Sequence, residues 1–394
     1  MSHAKPASLL LAALLLTLGT AACGGAEDPD PGGDAGVDAG VDAGTDAGGD
    51  GGTGDGGTEP EEDDPTQPAD ITWDFGPPIS VPQETWSYVA FPEARCGNGT
   101  ETGIAVNLSS RSDNVLIFMA GGGACWDALT CFVLETATHM QDTMDGPAII
   151  PETDGLGRIF DRQSPENPFR DASYIYIPYC TGDVYAGTNV LTYPNDGQGR
   201  QVHHVGGTNM RAFLKRLVPT FPDAERVWLT GASAGGYGAT INWWLAQDAF
   251  GDVRVDVIND GAALIDFEPA RYASMMSAWK PGMPPGCPSC LSHVSSLQSY
   301  YERRFPGPSR YGLLTSLEDQ VIRNFANLPA MTFRERVLSL RDAMGPNQRT
   351  FLVEGSAHVL LSQTPIPETS EGATVQNWVR QLISDDAAWD HQGP

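Results

Sequence analysis

Residues 226–245 read RVWLTGASAGGYGATINWWL. An apolar, β-branched run passes into a Gly-x-Ser-x-Gly turn, and the turn passes into apolar residues at helical spacing, with no linker on either side. A strand that feeds a helix this directly belongs to α/β architectures. At such a junction Gly231 and Gly235 let strand and helix pack closely. The residue between them tends to positive φ and is pushed out at the strand's carboxyl end. Ser233 is therefore a candidate nucleophile, against the plainer alternative of a glycine-rich turn that carries nothing.

The rest of the chain repeats the pattern. VLIFM (115–119), YIYIPY (174–179), VDVIN (255–259), YGLLT (311–315) and TFLVE (350–354) read as further buried strands. Between and after them, GTNMRAFLKRLVPTF, GYGATINWWLAQDAF, DQVIRNF, FRERVLSLRDAM and TVQNWVRQLI read as helices. This alternation predicts an α/β fold with a mainly parallel sheet flanked by helices, built from residues 71–394, and the serine elbow makes it α/β-hydrolase-like. Sites in such sheets collect at the carboxyl ends of the strands. Two long stretches, 127–170 and 266–310, are rich in Gly, Pro and Ser and read as loops that shape a pocket or a lid.

A serine hydroxyl needs a base. His3 lies in the leader, His391 in a polar tail, His203 and His204 just before a helix, and His139 and His293 in loops. His358 alone follows the last strand, on the flexible turn of TFLVEGSAHVLL, which favours it over a purely structural histidine. An acid must orient that imidazole, and in α/β-hydrolases it falls between the serine and the histidine in chain order. Asp319, after strand 311–315, is preferred. Asp260, after strand 255–259, is the alternative acid or a supporting group near the pocket, and Glu318 reads as solvated. For the oxyanion, VLIFMAGGGACWD offers a triple-glycine loop. The amides of Gly122 and Gly123, with that of Ala234, are the expected donors. A phosphate-binding reading of the same glycines lacks Gly-x-Gly-x-x-Gly and any following Lys-Ser/Thr.

Residues 1–23 read as an export leader, with an apolar run Leu9–Leu18 too short to span a bilayer stably. Cys23 after Thr20-Ala21-Ala22 resembles a bacterial lipobox, and Gly24 after it leans toward the outer membrane, with plain secretion as the alternative. Residues 24–70 repeat Asp-Ala-Gly and carry little apolar bulk, so a disordered acidic tether is expected. A calcium-binding repeat does not match its spacing. The tether also distorts the charge. The chain carries −27 overall, and residues beyond it about −13, which is acidic and argues against nucleic-acid partners.

Six cysteines remain besides Cys23, an even number in an exported chain, which suggests three disulfides. Fifteen pairings are possible on paper. Cys287 with Cys290 and Cys125 with Cys131 would close short loops, leaving Cys96 with Cys180. A zinc site at Cys287, Cys290 and His293 lacks a fourth ligand and reduced thiols. No metal or cofactor is expected.

FMAGGGACW, YCTGDVYAG, GASAGGYGA, LEDQVI and GSAH, in this order, resemble the pectin acetylesterase/Notum-like family of serine carboxylesterases. The resemblance implies a triad of Ser233, Asp319 and His358 and an oxyanion hole of Gly122, Gly123 and Ala234. It also implies paired Cys96 and Cys180, and places Asp183 in a segment near the site. Where the family often carries Glu-Gly-Gly-Trp, this chain has Ala120-Gly121-Gly122-Gly123-Ala124, which implies a differently shaped acyl pocket. The expected function is ester hydrolysis through an acyl-enzyme, on acetylated pectin or another O-acylated polysaccharide, or on a small acyl ester. A lipase or polyester depolymerase, and a non-catalytic glycan-binding protein on a hydrolase scaffold, are the alternatives.

Overall fold

The computed structural model describes residues 61–195 and 198–394. The leader, Cys23 and the tether through residue 60 lie outside the described residues. Ten strands follow in chain order: β1 (Ser87–Arg95), β2 (Glu101–Asn107), β3 (Asn114–Met119), β4 (Ser173–Ile177), β5 (Asn189–Asn195), β6 (Gln198–His204), β7 (Arg226–Ala232), β8 (Arg254–Asp260), β9 (Tyr311–Ser316) and β10 (Gln348–Val353). Eight of them form one sheet in the order β1-β2-β4-β3-β7-β8-β9-β10. The run from β4 to β10 is parallel, and β1 and β2 extend it antiparallel. The expected mainly parallel α/β sheet is present.

The parallel strands are apolar without alternation because both faces of the sheet are covered. Residues 115–119 of β3 and all of β4 and β9 are buried. The helix Gly206–Thr220 packs on β1, and the helices Ala234–Ile241 and Trp243–Phe250 pack on β8. The sequence predicts the last two as one helix. Asn242 divides them by turning its Nδ2 onto the carbonyls of Gly238 and Tyr185.

Three differences concern the connections. β1 and β2 form a hairpin that the strand reading does not include, and β5 pairs β6 in a separate hairpin. His203 and His204 do lie just before a helix, Gly206–Thr220, as the last residues of β6. The stretches 127–170 and 266–310 are partly helical, the second carrying helices at Pro269–Trp279 and Ser296–Arg304. Glu268 starts the first of these by accepting from the amides of Ala270 and Arg271.

Cys96 bonds Cys180, Cys125 bonds Cys131 and Cys287 bonds Cys290, as the shortest-loop pairing predicts. Both thiols of the weighed zinc site are thus consumed, and His293 faces Asp266 at 3.3 Å instead. The ordered body also begins before the expected boundary at residue 71. Asp63 accepts from the Ser289 amide and hydroxyl, Asp64 N donates to Gly286 O, and Arg304 donates to the carbonyls of Pro65 and Gln67. Composition made this piece look like more tether, but its backbone finds fixed partners on the segment that carries the Cys287–Cys290 loop.

Candidate active site

The junction at residue 233 is a sharp elbow. Ser233 has φ 58° and ψ −119°, in the left-handed region that non-glycine residues rarely occupy. Its flanking glycines are there for contact. A Cβ on Gly235 would overlap the carbonyl of Met119 in β3, and one on Gly231 would overlap the backbone of Gly235. The side chain of Ser233 is nearly buried at the carboxyl end of the central strand β7. Its amide donates to the carbonyl of Asp260 at 2.8 Å.

His358 lies five residues beyond β10, and its Nδ1 is 2.7 Å from Asp319 Oδ2. Asp319 is fully buried and caps the helix Gln320–Ala326, with Oδ1 accepting from the amides of Val321 and Ile322 at 2.9 and 3.0 Å. One oxygen is thus fixed by the helix start and the other is left to the imidazole. A proton on Nδ1, donated to Asp319, leaves Nε2 as the basic nitrogen. Nε2 is buried without a hydrogen-bond partner among the described residues. No hydrogen bond joins it to Ser233 here; in such pairs the bond is often long and tightens only with substrate. The two residues flank the same peptide: Ser233 bonds Asp260 O, and a Cβ on Gly261 would lie 3.4 Å from His358 Cε1.

Three other described histidines are engaged elsewhere. His139 faces Asp142, His391 bonds Thr350, and His204 is buried between Thr181 O and the Tyr193 hydroxyl. Burial pushes the His204 imidazole below its ordinary range. Of the two weighed acids, Asp319 meets His358, whereas Asp260 bonds the backbone amides of Leu360 and Leu361. Asp183 touches neither catalytic candidate. Its carboxylate accepts from Thr181 Oγ1, Tyr185 N and Gly206 N, and so braces a loop in which Val184 and Tyr185 both have positive φ.

The glycine loop follows β3. Gly123 has φ 75°, and a Cβ there would overlap the carbonyl of Thr136. The segment Thr136–Thr138 holds the loop through Ala124 N to Thr136 O and Thr138 N to Gly122 O, with an isolated antiparallel bridge between Gly123 and Ala137. These contacts leave the amides of Gly122 and Gly123 unused. A Cβ on Gly121 would lie 3.2 Å from Ser233 Cβ, so the loop borders the elbow.

A narrow cavity of about 50 Å³ opens beside Ser233. Gly123, Ala124, Ser233 and Ala234 form one end. Its walls are almost wholly apolar: Tyr237 and Ile241 from the elbow helix, Ile322 and Phe325 from the helix that Asp319 caps, and Val184 and Ala186 from the loop that Asp183 braces. The 266–310 segment closes it with Phe267, Tyr272, Met275, Met276, Trp279 and Met283. Trp279 Nε1 donates to Cys125 O and ties this cap to the glycine loop. The sequence points to the segment as a lid but does not single out these side chains. The apolar face of YASMMSAW, at helical spacing, was the available signal.

Residues 85–280 match the pectinacetylesterase family model. The Drosophila palmitoleoyl-protein carboxylesterase NOTUM is 25% identical over 193 residues, 46% of this chain and 28% of that protein. Xenopus laevis notum2 is 29% identical over 150 residues, 37% of this chain and 29% of that one. These alignments span less than a third of the relatives' length. A zebrafish relative named inactive palmitoleoyl-protein carboxylesterase notum1b is 31% identical over 106 residues, 26% of this chain and 73% of that protein. The crystal structure of the Wnt deacylase Notum from Drosophila superposes with a TM-score of 0.59 at 17% identity, covering 77% of this chain and 94% of that one. That likeness is one of fold, an α/β-hydrolase type sheet. Together with the matched family model, these relatives show that the chain belongs to the pectinacetylesterase/Notum family.

Proposed function

We propose that this chain is a serine carboxylesterase whose preferred acyl group is a medium to long apolar chain. Ser233 Oγ attacks the ester carbonyl carbon while His358 Nε2 takes its proton. The oxyanion forms against the amides of Gly122, Gly123 and Ala234, each worth roughly 3 kcal/mol. The bond from carbon to the alcohol oxygen breaks, and His358 protonates the departing oxygen. Water then adds to the acyl-enzyme, giving its proton to His358. Collapse releases the carboxylic acid and returns that proton to Ser233. Asp319 holds the imidazole in the tautomer this requires.

The observation that carries the reading is the apolar cavity beginning at Ser233. An acetyl group meets only the end of it at Ser233, whereas each further methylene buried along its apolar walls gains about 0.8 kcal/mol. Gly123 and Ala124 put no bulk at its inner end. Acetylated polysaccharide is the second reading, favoured by the family model's description. An inactive relative makes a non-catalytic binding role the third. p-Nitrophenyl esters from acetyl to palmitoyl, assayed with the native chain and with Ser233→Ala, separate them. The first reading expects kcat/KM to rise by at least about tenfold from acetate to an intermediate chain, and Ser233→Ala to abolish it. A maximum at acetate favours the second reading, and no turnover of any ester favours the third.

We also infer export with a lipid on Cys23 and an acidic tether ahead of the hydrolase body. The leader and lipobox-like sequence support this, and three disulfides fit an oxidising compartment. Loss of membrane association in Cys23→Ala tests it.

A further inference from the structure

Asp260 is the last residue of β8, and it touches both halves of the proposed machinery. Its carbonyl accepts the amide of Ser233 at 2.8 Å. Its carboxylate is wholly buried and faces the other way, with Oδ1 2.6 Å from Leu360 N and Oδ2 2.9 Å from Leu361 N. The turn it grips follows His358 immediately. Val359, a β-branched residue, has φ 57° there. Such residues rarely occupy that region and stay in it only when surrounding contacts hold them. The two amides beyond Val359 supply such contacts. Gly261, next in the chain, lies against the imidazole itself.

We propose that Asp260 is a positioning residue that couples nucleophile to base: its backbone fixes the elbow of Ser233, and its ionised carboxylate fixes the strained turn that aims His358. The inference rests on the Ser233–His358 reading above. Each carboxylate oxygen takes one N–H. Adding a proton turns one oxygen into a poorer acceptor, and one amide is released. The titratable groups that face Asp260 are His358 on the loop after β10 and Asp319 after β9. Burial pushes its carboxyl up to about 7, against the two amides and a charged His358, which pull it down, and with Asp319 adding to the rise. Activity on the acid side then requires Asp260 to be deprotonated.

The test is Asp260→Asn. Asparagine keeps the shape and can accept one amide, but it turns an NH2 toward the other. The expected result is a kcat at least about tenfold lower with KM nearly unchanged, and an acid limb of log kcat/KM less steep than that of the native chain. A native kcat with an unchanged acid limb overturns the proposal. If the variant does not fold, exchange protection of the Leu360 and Leu361 amides in the native chain decides. Protection that falls as pH drops from about 8 to about 5 supports the clamp, and constant protection overturns it. This readout needs no turnover. If Ser233→Ala keeps full activity, the triad reading fails on its own, separately from the clamp.

Discussion

Asp319 divides its carboxylate between two tasks: Oδ1 receives the first amides of the helix Gln320–Ala326, and Oδ2 lies 2.7 Å from Nδ1 of His358. The imidazole is oriented by an acid that is itself locked by a helix start. Asp319→Asn should keep the cap, since asparagine caps nearly as well as aspartate. It should also lose the fixed tautomer, lowering kcat by roughly 10³–10⁴-fold with little change in melting temperature. Parallel kinetics and thermal melts check this. Near-native kcat would return the role of acid to another group.

Met276 lines the cap face of the cavity. Met276→Trp should fill space that a long acyl chain needs and leave room for acetate. The expected outcome is a loss of about tenfold or more in kcat/KM for octanoyl esters, with acetyl esters changed less than about threefold. One or two methylenes are worth about this much in an apolar pocket. Equal losses on all esters would mean that the cavity is not the acyl site.

Asp260 also makes a stability prediction. Its folded carboxyl titrates near 7, above its ordinary value of 3.8. Between those values the folded chain holds a proton that the unfolded chain has lost. The contribution of Asp260 to stability is therefore full below about pH 4 and is lost as pH rises through about 7, at up to about 1.4 kcal/mol per pH unit. The difference in stability between the native chain and Asp260→Asn, followed by urea titration from about pH 4 to 8, should move against the native chain as pH rises. A difference independent of pH contradicts this.

Residues 63–67 bond the Gly286–Ser289 turn and Arg304, next to the cap of the cavity. A chain lacking residues 1–60 should match the full chain in melting temperature. One lacking 1–70 should melt several degrees lower and bind long-chain esters with a KM raised by about threefold or more. Identical melting and kinetics for the two truncations would show that these contacts do not hold the cap.

Much of this site was legible because its chemistry is tied to local signals. The serine turn sits between a strand and a helix, the glycine loop follows β3, and His358 follows the last strand. Each of these can be read from a dozen residues. The preference for Asp319 over Asp260 came from chain order, and the structure adds the contact that separates them. The clamp of Asp260 on Leu360 and Leu361 joins residues a hundred apart and leaves no pattern in either segment. In the β1–β2 hairpin, β1 was missed because it is mixed in polarity, with Phe91 and Ala94 buried among more exposed neighbours, and β2 because its apolar run is only Ile104–Val106. The cap was read as loop because the Pro- and Gly-rich stretch 281–288 separates its two short helices, and the docking of residues 63–67 was hidden by their likeness to the tether.

The central claim is that Ser233 becomes acylated. Incubation of the native chain with a fluorophosphonate, followed by peptide mass spectrometry, measures it directly. The account predicts a single adduct on Ser233, absent from Ser233→Ala and formed at least about 100-fold more slowly in His358→Ala. No adduct at Ser233 in a protein that hydrolyses esters, or equal labelling of the His358→Ala variant, would contradict it.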